Sequence, residues 1–310
     1  MRQLFPLTLS LSALVVISGC QENPEETEGT EVEFTHIHGL GFTEDGQRAY
    51  IPAHDGLRVF ENGTWSVVED DQHDFMGFTM TANGFYSSGH PSMQTDYENP
   101  FGLIKSTDGG ESIELLALEG EIDFHLMSAG YHSDAIYVIN PEPNSSMDEL
   151  GLHRTLDEGQ EWNKGDMTGV SGEVIAIAAH PEEESVIALS TTEGAFLSED
   201  AGDSFEQVLS GSPVPAITFS HSGGELLVAE GTEEETRLKV INTSGESEAD
   251  IPAPAVKSED ALSYLSQNPQ SEDTIMVTTM ERDIFYTENG GETWEQLAEE
   301  GKSRTTSEGT

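Results

Sequence analysis

Apolar residues in this chain come in short runs, and each run ends at Gly, Asp, Asn, Ser or Pro. The stretch "VIAIAAHPEEESVIALSTTEGAFLSEDAGDSF", residues 174–205, shows the order most plainly. An apolar run is followed by a second short run, a loop, a run that starts with Gly, and a turn. Runs of this length, rich in Val, Ile, Phe and Ala and bounded by turn residues, predict strands. The order recurs, and six first strands can be aligned: "HGLGF" from His38, "MGFTM" from Met76, "HLMSA" from His125, "IAIAA" from Ile175, "AITFS" from Ala216 and "LSYLS" from Leu262. Four strands in a period of roughly 40–50 residues predict an all-β fold, a β-propeller, with six blades as the expected count and seven as the alternative. The segment "EVEF", residues 31–34, is placed to close the ring against the last blade.

Four turns share one pattern: "STDGGESI" from Ser106, "TLDEGQEW" from Thr155, "SEDAGDSF" from Ser198 and "TENGGETW" from Thr287. Their third residues, Asp108, Asp157, Asp200 and Asn289, are spaced by 49, 43 and 89. The doubled last gap predicts a degenerate copy near Thr243, and "ENGTW" at residues 61–65 reads as a further weak one. Asp or Asn bonds back to nearby backbone N–H groups, Gly takes angles other residues avoid, and the closing apolar residue packs beneath the turn. These segments resemble the Asp-box, or BNR, repeat of sialidases, sortilin-type receptors and photosystem II stability factors. The resemblance implies a propeller. It leaves activity open, since the motif occurs in enzymes and binding proteins alike.

In a propeller the first strands line a central channel. The alignment puts His38, Met76, His125, Ile175, Ala216 and Leu262 at one level, with His36, Asp74, Asp123, Glu173, Val214 and Asp260 two residues earlier. Positions two apart on a strand share a face. Blades one to three therefore carry a one-sided set of imidazole, thioether and carboxylate groups, and His54, His73, His90 and Met93 are expected on the same face. A metal centre of His36, His38, Met76, His125, Asp74, Asp123 and His90 is one reading. The thioether favours copper, while imidazoles with a carboxylate suit zinc equally. The other reading is of hydrogen-bonded channel residues, with Met76 and Met127 filling gaps.

Charge narrows the partners. Acids number 59 against 12 bases, a net charge of −47. Such a surface repels nucleic acid, and its even spread suits a solvated exterior. The first twenty residues, "MRQLFPLTLSLSALVVISGC", read as a secretory signal ending in a lipobox. Cys20 is the single cysteine, and lipidation there would hold the protein on the extracytoplasmic side of the cell membrane. Residues 21–31 read as an acidic disordered tether, 32–298 as the propeller and 299–310 as a disordered tail.

The resemblance to sialidases raises glycoside hydrolysis. A sialidase needs an arginine cluster for the substrate carboxylate and a Tyr–Glu pair. Downstream of the leader the arginines are Arg48, Arg58, Arg154, Arg237, Arg282 and Arg304, none at an inner-strand start. The long loops His90–Pro100 and Asn140–Leu150 are expected on the histidine face, where loops on a rigid scaffold carry recognition. The expected function is a binding or assembly platform for a protein or peptide on the face opposite the Asp-box turns, with copper or zinc at the channel mouth. Glycoside hydrolysis of the sialidase-like type is the alternative.

Overall fold

Six antiparallel sheets, each a meander of consecutive strands, make up the computed structural model of the protein, which describes residues 31–68, 72–231, 236–244 and 248–304. The leader, Cys20, residues 21–30 of the acidic segment and the last residues of the tail lie outside the described residues. Among those described there is no helix.

The first blade comprises β1 (Gly41–Phe42), β2 (Arg48–Ala53), β3 (Gly56–Glu61) and β4 (Thr64–Val67). The second has β5 (Asp74–Thr81), β6 (Gly84–His90), β7 (Leu103–Ser106) and β8 (Glu114–Ala117). In the third are β9 (Met127–Ala129), β10 (Ile136–Asn140), β11 (Gly151–Thr155) and β12 (Asn163–Lys164). The fourth contains β13 (Val174–Ala179), β14 (Ile187–Thr191), β15 (Gly194–Ser198) and β16 (Glu206–Ser210). The fifth is β17 (Ala216–Phe219), β18 (Glu225–Gly231), β19 (Thr236–Asn242) and β20 (Glu248–Ile251). The last holds β21 (Leu262–Asn268), β22 (Ser271–Thr279), β23 (Ile284–Thr287), β24 (Glu295–Glu299) and a short fifth strand, β25 (Lys302–Ser303). Each aligned apolar run thus supplies an innermost strand, and the blade count is six.

The core is divided among the seams between blades. Phe75, Phe78 and Phe85 of the second blade pack on Tyr50, Leu57 and Val59 of the first. Met276, Ile284 and Leu297 of the last pack on Phe42, Ala49 and Ile51 of the first, which closes the ring. Backbone hydrogen bonds add to the closure: Phe34 N–H donates to Gly301 O at 2.7 Å and Ser303 N–H to Val32 O at 2.8 Å. Val32 and Phe34 are both buried there, a contribution of roughly 3–6 kcal/mol from two apolar side chains. Ordered pairing therefore runs through Ser303, beyond residue 298 where the sequence pattern fades.

An innermost strand is a sheet edge with unpaired N–H groups. Hydroxyls of the preceding blade accept some of them: Ser88 Oγ from Phe124 N–H (2.9 Å), Thr79 Oγ1 from Ala129 N–H (3.2 Å) and Ser128 Oγ from Ala179 N–H (2.9 Å). These bonds stitch adjacent blades at the channel wall.

The four patterned turns join the third and fourth strands of the second, third, fourth and sixth blades and repeat one hydrogen-bond net. Asp200 Oδ1 accepts from Ser198 Oγ (2.8 Å) and Ser204 N–H (2.8 Å), while Ser198 Oγ accepts from Gly202 N–H (2.9 Å). Asp108, Asp157 and Asn289 do the same in their turns. Gly202 has φ +92, and a Cβ there would come within 2.2 Å of the Leu152 side chain. Ile113, Trp162, Phe205 and Trp294 pack at the blade seams. "ENGTW" differs: Asn62 and Gly63 both take positive φ in a two-residue hairpin turn, which needs no carboxylate net.

A candidate metal centre at one mouth of the channel

The six innermost strands enclose a channel of about 710 Å³. Its wall mixes apolar and polar side chains, and one mouth gathers histidines. His38 stands just before β1, held by its N–H to Pro52 O (3.1 Å), and Ile37 bridges Ala53 at the end of β2. His54 follows Ala53 in the tight turn to β3. The pairing of these segments therefore brings His36, His38 and His54 onto one rim, and one nitrogen from each lies within 4.8 Å of the others.

Two arginines fix this rim. Arg58 is buried on β3. Its guanidinium donates to Glu33 O (2.9 Å), Asp55 O (3.2 Å) and Asp55 Oδ1 (2.6 Å). Arg282, from the loop before β23, donates to Thr35 O at 2.9 Å. Thr35 Oγ1 donates to Asp55 Oδ1 (3.2 Å), so the backbone on either side of His36 and His54 is tied together.

Asp74 opens β5 and pairs across the strand with His90, the last residue of β6. Its Oδ2 lies 2.8 Å from His54 Nδ1, and its Oδ1 lies 3.5 Å from His38 Nε2. Asp123 and His125, before β9, complete the rim: Asp123 Oδ2 is 2.7 Å from His125 Nε2 and 3.5 Å from His90 Nε2. His38 Nε2, Asp74 Oδ1 and Asp123 Oδ1 are buried and have no hydrogen-bond partner. Orphaned buried polar atoms cost about 1–3 kcal/mol each, and three of them converge here.

Burial, followed by the neighbouring His36, His54 and His125, pushes the His38 imidazole down to about 4. At neutral pH it is uncharged and offers a lone pair. Burial raises the Asp74 carboxyl, as does the Asp123 charge, against the opposing pull of His54 and His90. Neutral imidazole beside a buried carboxylate is the donor state that a divalent ion requires.

The structure brings together His36, His38, Asp74, His90, Asp123 and His125 of the residues expected from sequence. Met76 stands two residues after Asp74 in unbroken register, Asp74 opposite His90 and Met76 opposite Ser88. Strand β5 breaks register only beyond it, between Met76 and Thr79, with Gly77 at φ +55 and its Cβ position 2.2 Å from Phe124 O. The contacts at the rim are among imidazoles and carboxylates, donors that fit zinc or copper(II).

Other expected members have structural posts. His73 is buried; its Nδ1 accepts from Ser92 N–H (2.9 Å) and its ring meets Phe75 and Phe101 edge-on, pinning the 90–100 loop. Met127 is a core residue of the seam between blades two and three. Asp260 Oδ1 accepts from Ala261 and Glu281 N–H groups and holds the loop of the last blade. His180 and His221 lie past the far ends of β13 and β17, where His221 Nε2 is 2.9 Å from Gln267 O. Arg58 and Arg282 had no signature beyond being rare bases in an acidic chain, and Asn99, 2.7 Å from His90 Nδ1 through its Oδ1, lies in a loop whose fold the sequence does not reveal.

Solved structures share this architecture. A GH74 xyloglucanase from Xanthomonas campestris aligns over 86% of the chain at 15% identity and a TM-score of 0.54. A GH74 enzyme from Niastella koreensis aligns over 86% at 14% identity and 0.57. The chain spans 46% of the length of each, about half of those enzymes. A YCF48 protein bound to a D1 peptide aligns over 86% of this chain and 83% of its own, at 15% identity and a TM-score of 0.50. At these identities the likeness is one of fold. No protein-family model matches the chain, and no curated protein is similar to it in sequence.

Proposed function

We propose that this chain is a lipid-anchored, extracytoplasmic β-propeller that binds a zinc or copper ion at the histidine mouth and docks a protein or peptide partner on that face. The observation that carries the reading is the meeting of His36, His38 and His54, one nitrogen from each within 4.8 Å of the others, beside Asp74, whose Oδ2 is 2.8 Å from His54 Nδ1 and whose orphaned Oδ1 is 3.5 Å from His38 Nε2. Three imidazoles and one carboxylate make a four-coordinate N/O site, with Asp74 as ligand or as the group that orients the rings. The docking half draws support from the surface. Of the four exposed large apolar side chains among the described residues, Met93, Leu150 and Met280 stand in loops of the histidine face, and Leu156 stands in a turn opposite. The YCF48 propeller with its bound D1 peptide is a precedent for peptide docking on this fold.

Elemental analysis of the purified full chain after exposure to zinc and to copper tests the metal. Stoichiometric loading is expected, and His38→Ala with His54→Ala should remove the ion held by those residues; a double variant loaded to the same extent as the native chain would sink the reading. Substituting Cys20→Ser should move the protein from the membrane fraction to the soluble one.

A second reading, glycoside hydrolysis, rests on the buried Asp74 with its raised carboxyl beside Asp123 and on the fold shared with the xyloglucanases. Metal binding is favoured because both carboxylates are already engaged by imidazoles. Release of reducing sugar from xyloglucan, lost on Asp74→Asn, would reverse that preference.

A further inference from the structure

The titratable groups at the mouth fall into two sets, and a single ion cannot use both: zinc takes about four ligands, and five imidazoles and two carboxylates are present. His36, His38, His54 and Asp74 form the set described above. We propose that His90, His125 and Asp123 form a second cation site, so that the mouth holds two transition-metal ions side by side. The inference rests on the metal-binding reading and extends it.

His90 Nδ1 is 2.7 Å from Asn99 Oδ1, an oxygen placed to accept from it, which leaves Nε2 as the nitrogen available to a metal. His90 Nε2 faces Asp123 Oδ2 across 3.5 Å, and a cation there would be held by both. On the other side of the same carboxylate, His125 Nε2 stands 2.7 Å from Oδ2, and Asp123 Oδ1 is buried without a partner. The donor set is two imidazoles and one carboxylate with an open position, the composition of three-ligand zinc sites. An imidazole whose second nitrogen donates to a fixed carbonyl is how ligating histidines are usually oriented, and Asn99 supplies that here.

Placement keeps the sites distinct yet adjacent. The first set comes from the first blade plus Asp74, and the second from the loops at the ends of β6 and before β9. His90 and Asp74 are direct cross-strand partners, so the two sets meet at that pair. Zinc or copper(II) is the ion class for both, given nitrogen and oxygen donors alone.

The test uses the full chain stripped with chelator and titrated with zinc chloride in excess magnesium, which occupies surface carboxylates. Bound zinc is counted by elemental analysis after desalting and by calorimetry. Two equivalents are expected for the native sequence. His90→Ala with His125→Ala should leave one, and His38→Ala with His54→Ala should also leave one. His90, His54 and His125 are well exposed; His90→Gln with His125→Gln repeats the test with side chains that keep polar contacts. A native stoichiometry of one, lost in the His38/His54 variant alone, overturns the second site and leaves the first standing. Two equivalents unaffected by the His90/His125 variants also overturn it. No bound zinc at all overturns both readings.

Discussion

His38 Nε2 and Asp74 Oδ1 face each other at 3.5 Å, both buried and neither hydrogen-bonded to anything else. Neither atom has a full hydrogen bond at that distance, and a cation between them would satisfy both. A metal that binds only the folded chain stabilises it by mass action, about 2.7 kcal/mol at a hundredfold excess over Kd. For a domain of this size the melting temperature should rise by roughly 5–10 °C with zinc and fall back with chelator. Differential scanning fluorimetry reads this directly, and an unchanged midpoint would contradict it.

Arg58 touches no imidazole, yet it ties Glu33, Asp55 and Gly56 to one point behind the rim. Replacing it by Leu keeps an apolar side chain on β3 and frees the backbone around His36 and His54. Loss of such a support typically costs about 10–100-fold in metal affinity. Arg58→Leu is expected to weaken zinc binding by about tenfold while both histidines remain. Calorimetric titration checks this, and native affinity in the variant would count against the positioning role.

Thr155 is fully buried, and its Oγ1 accepts from Gly159 N–H (2.9 Å) while donating to Asp157 Oδ1 (2.7 Å). Thr155→Val preserves shape and removes both bonds, leaving the Gly159 donor unsatisfied. A loss of about 1–3 kcal/mol is expected in urea unfolding. Thr155→Ser, which keeps the hydroxyl, should lose much less.

Acid stability should follow the patterned turns. Hydrogen bonds from Ser204 and Ser198 lower the Asp200 carboxyl to about 2, and similar bonds lower Asp108 and Asp157. A carboxyl whose folded value lies below its unfolded value near 3.8 stabilises the fold at all higher pH. That contribution is lost as pH falls from about 4 toward 2. Unfolding monitored by circular dichroism should set in over that window. Asp200→Asn, which imitates the natural Asn289, should flatten the dependence; a steeper profile in the variant would contradict the account.

Most of the fold was legible because its signals are local. Six apolar runs at intervals of 38–50 residues, and turns whose Asp or Asn must accept backbone N–H groups, specify blades without long-range information. The site was legible in part. His36, His38, Asp74, Asp123 and His125 sit at strand starts, where counting residues fixes their level. His54 was traceable to the right face by its loop. The irregularity of β5 after Met76 was not legible, because it depends on the close approach of Gly77 to Phe124 O from the next blade. Arg58, Arg282 and Asn99 were invisible for a related reason. Their partners are backbone atoms or loops distant in sequence, and no residue pattern announces a side chain that holds a neighbouring strand in place.

X-ray absorption at the zinc edge, on the full chain loaded with one equivalent, tests the central claim most directly. The account predicts a first shell of nitrogen and oxygen at about 2.0–2.1 Å with outer-shell scattering from several imidazoles, reduced in the His38→Ala, His54→Ala double variant. An all-oxygen shell without imidazole scattering would place the ion on the acidic surface and contradict it.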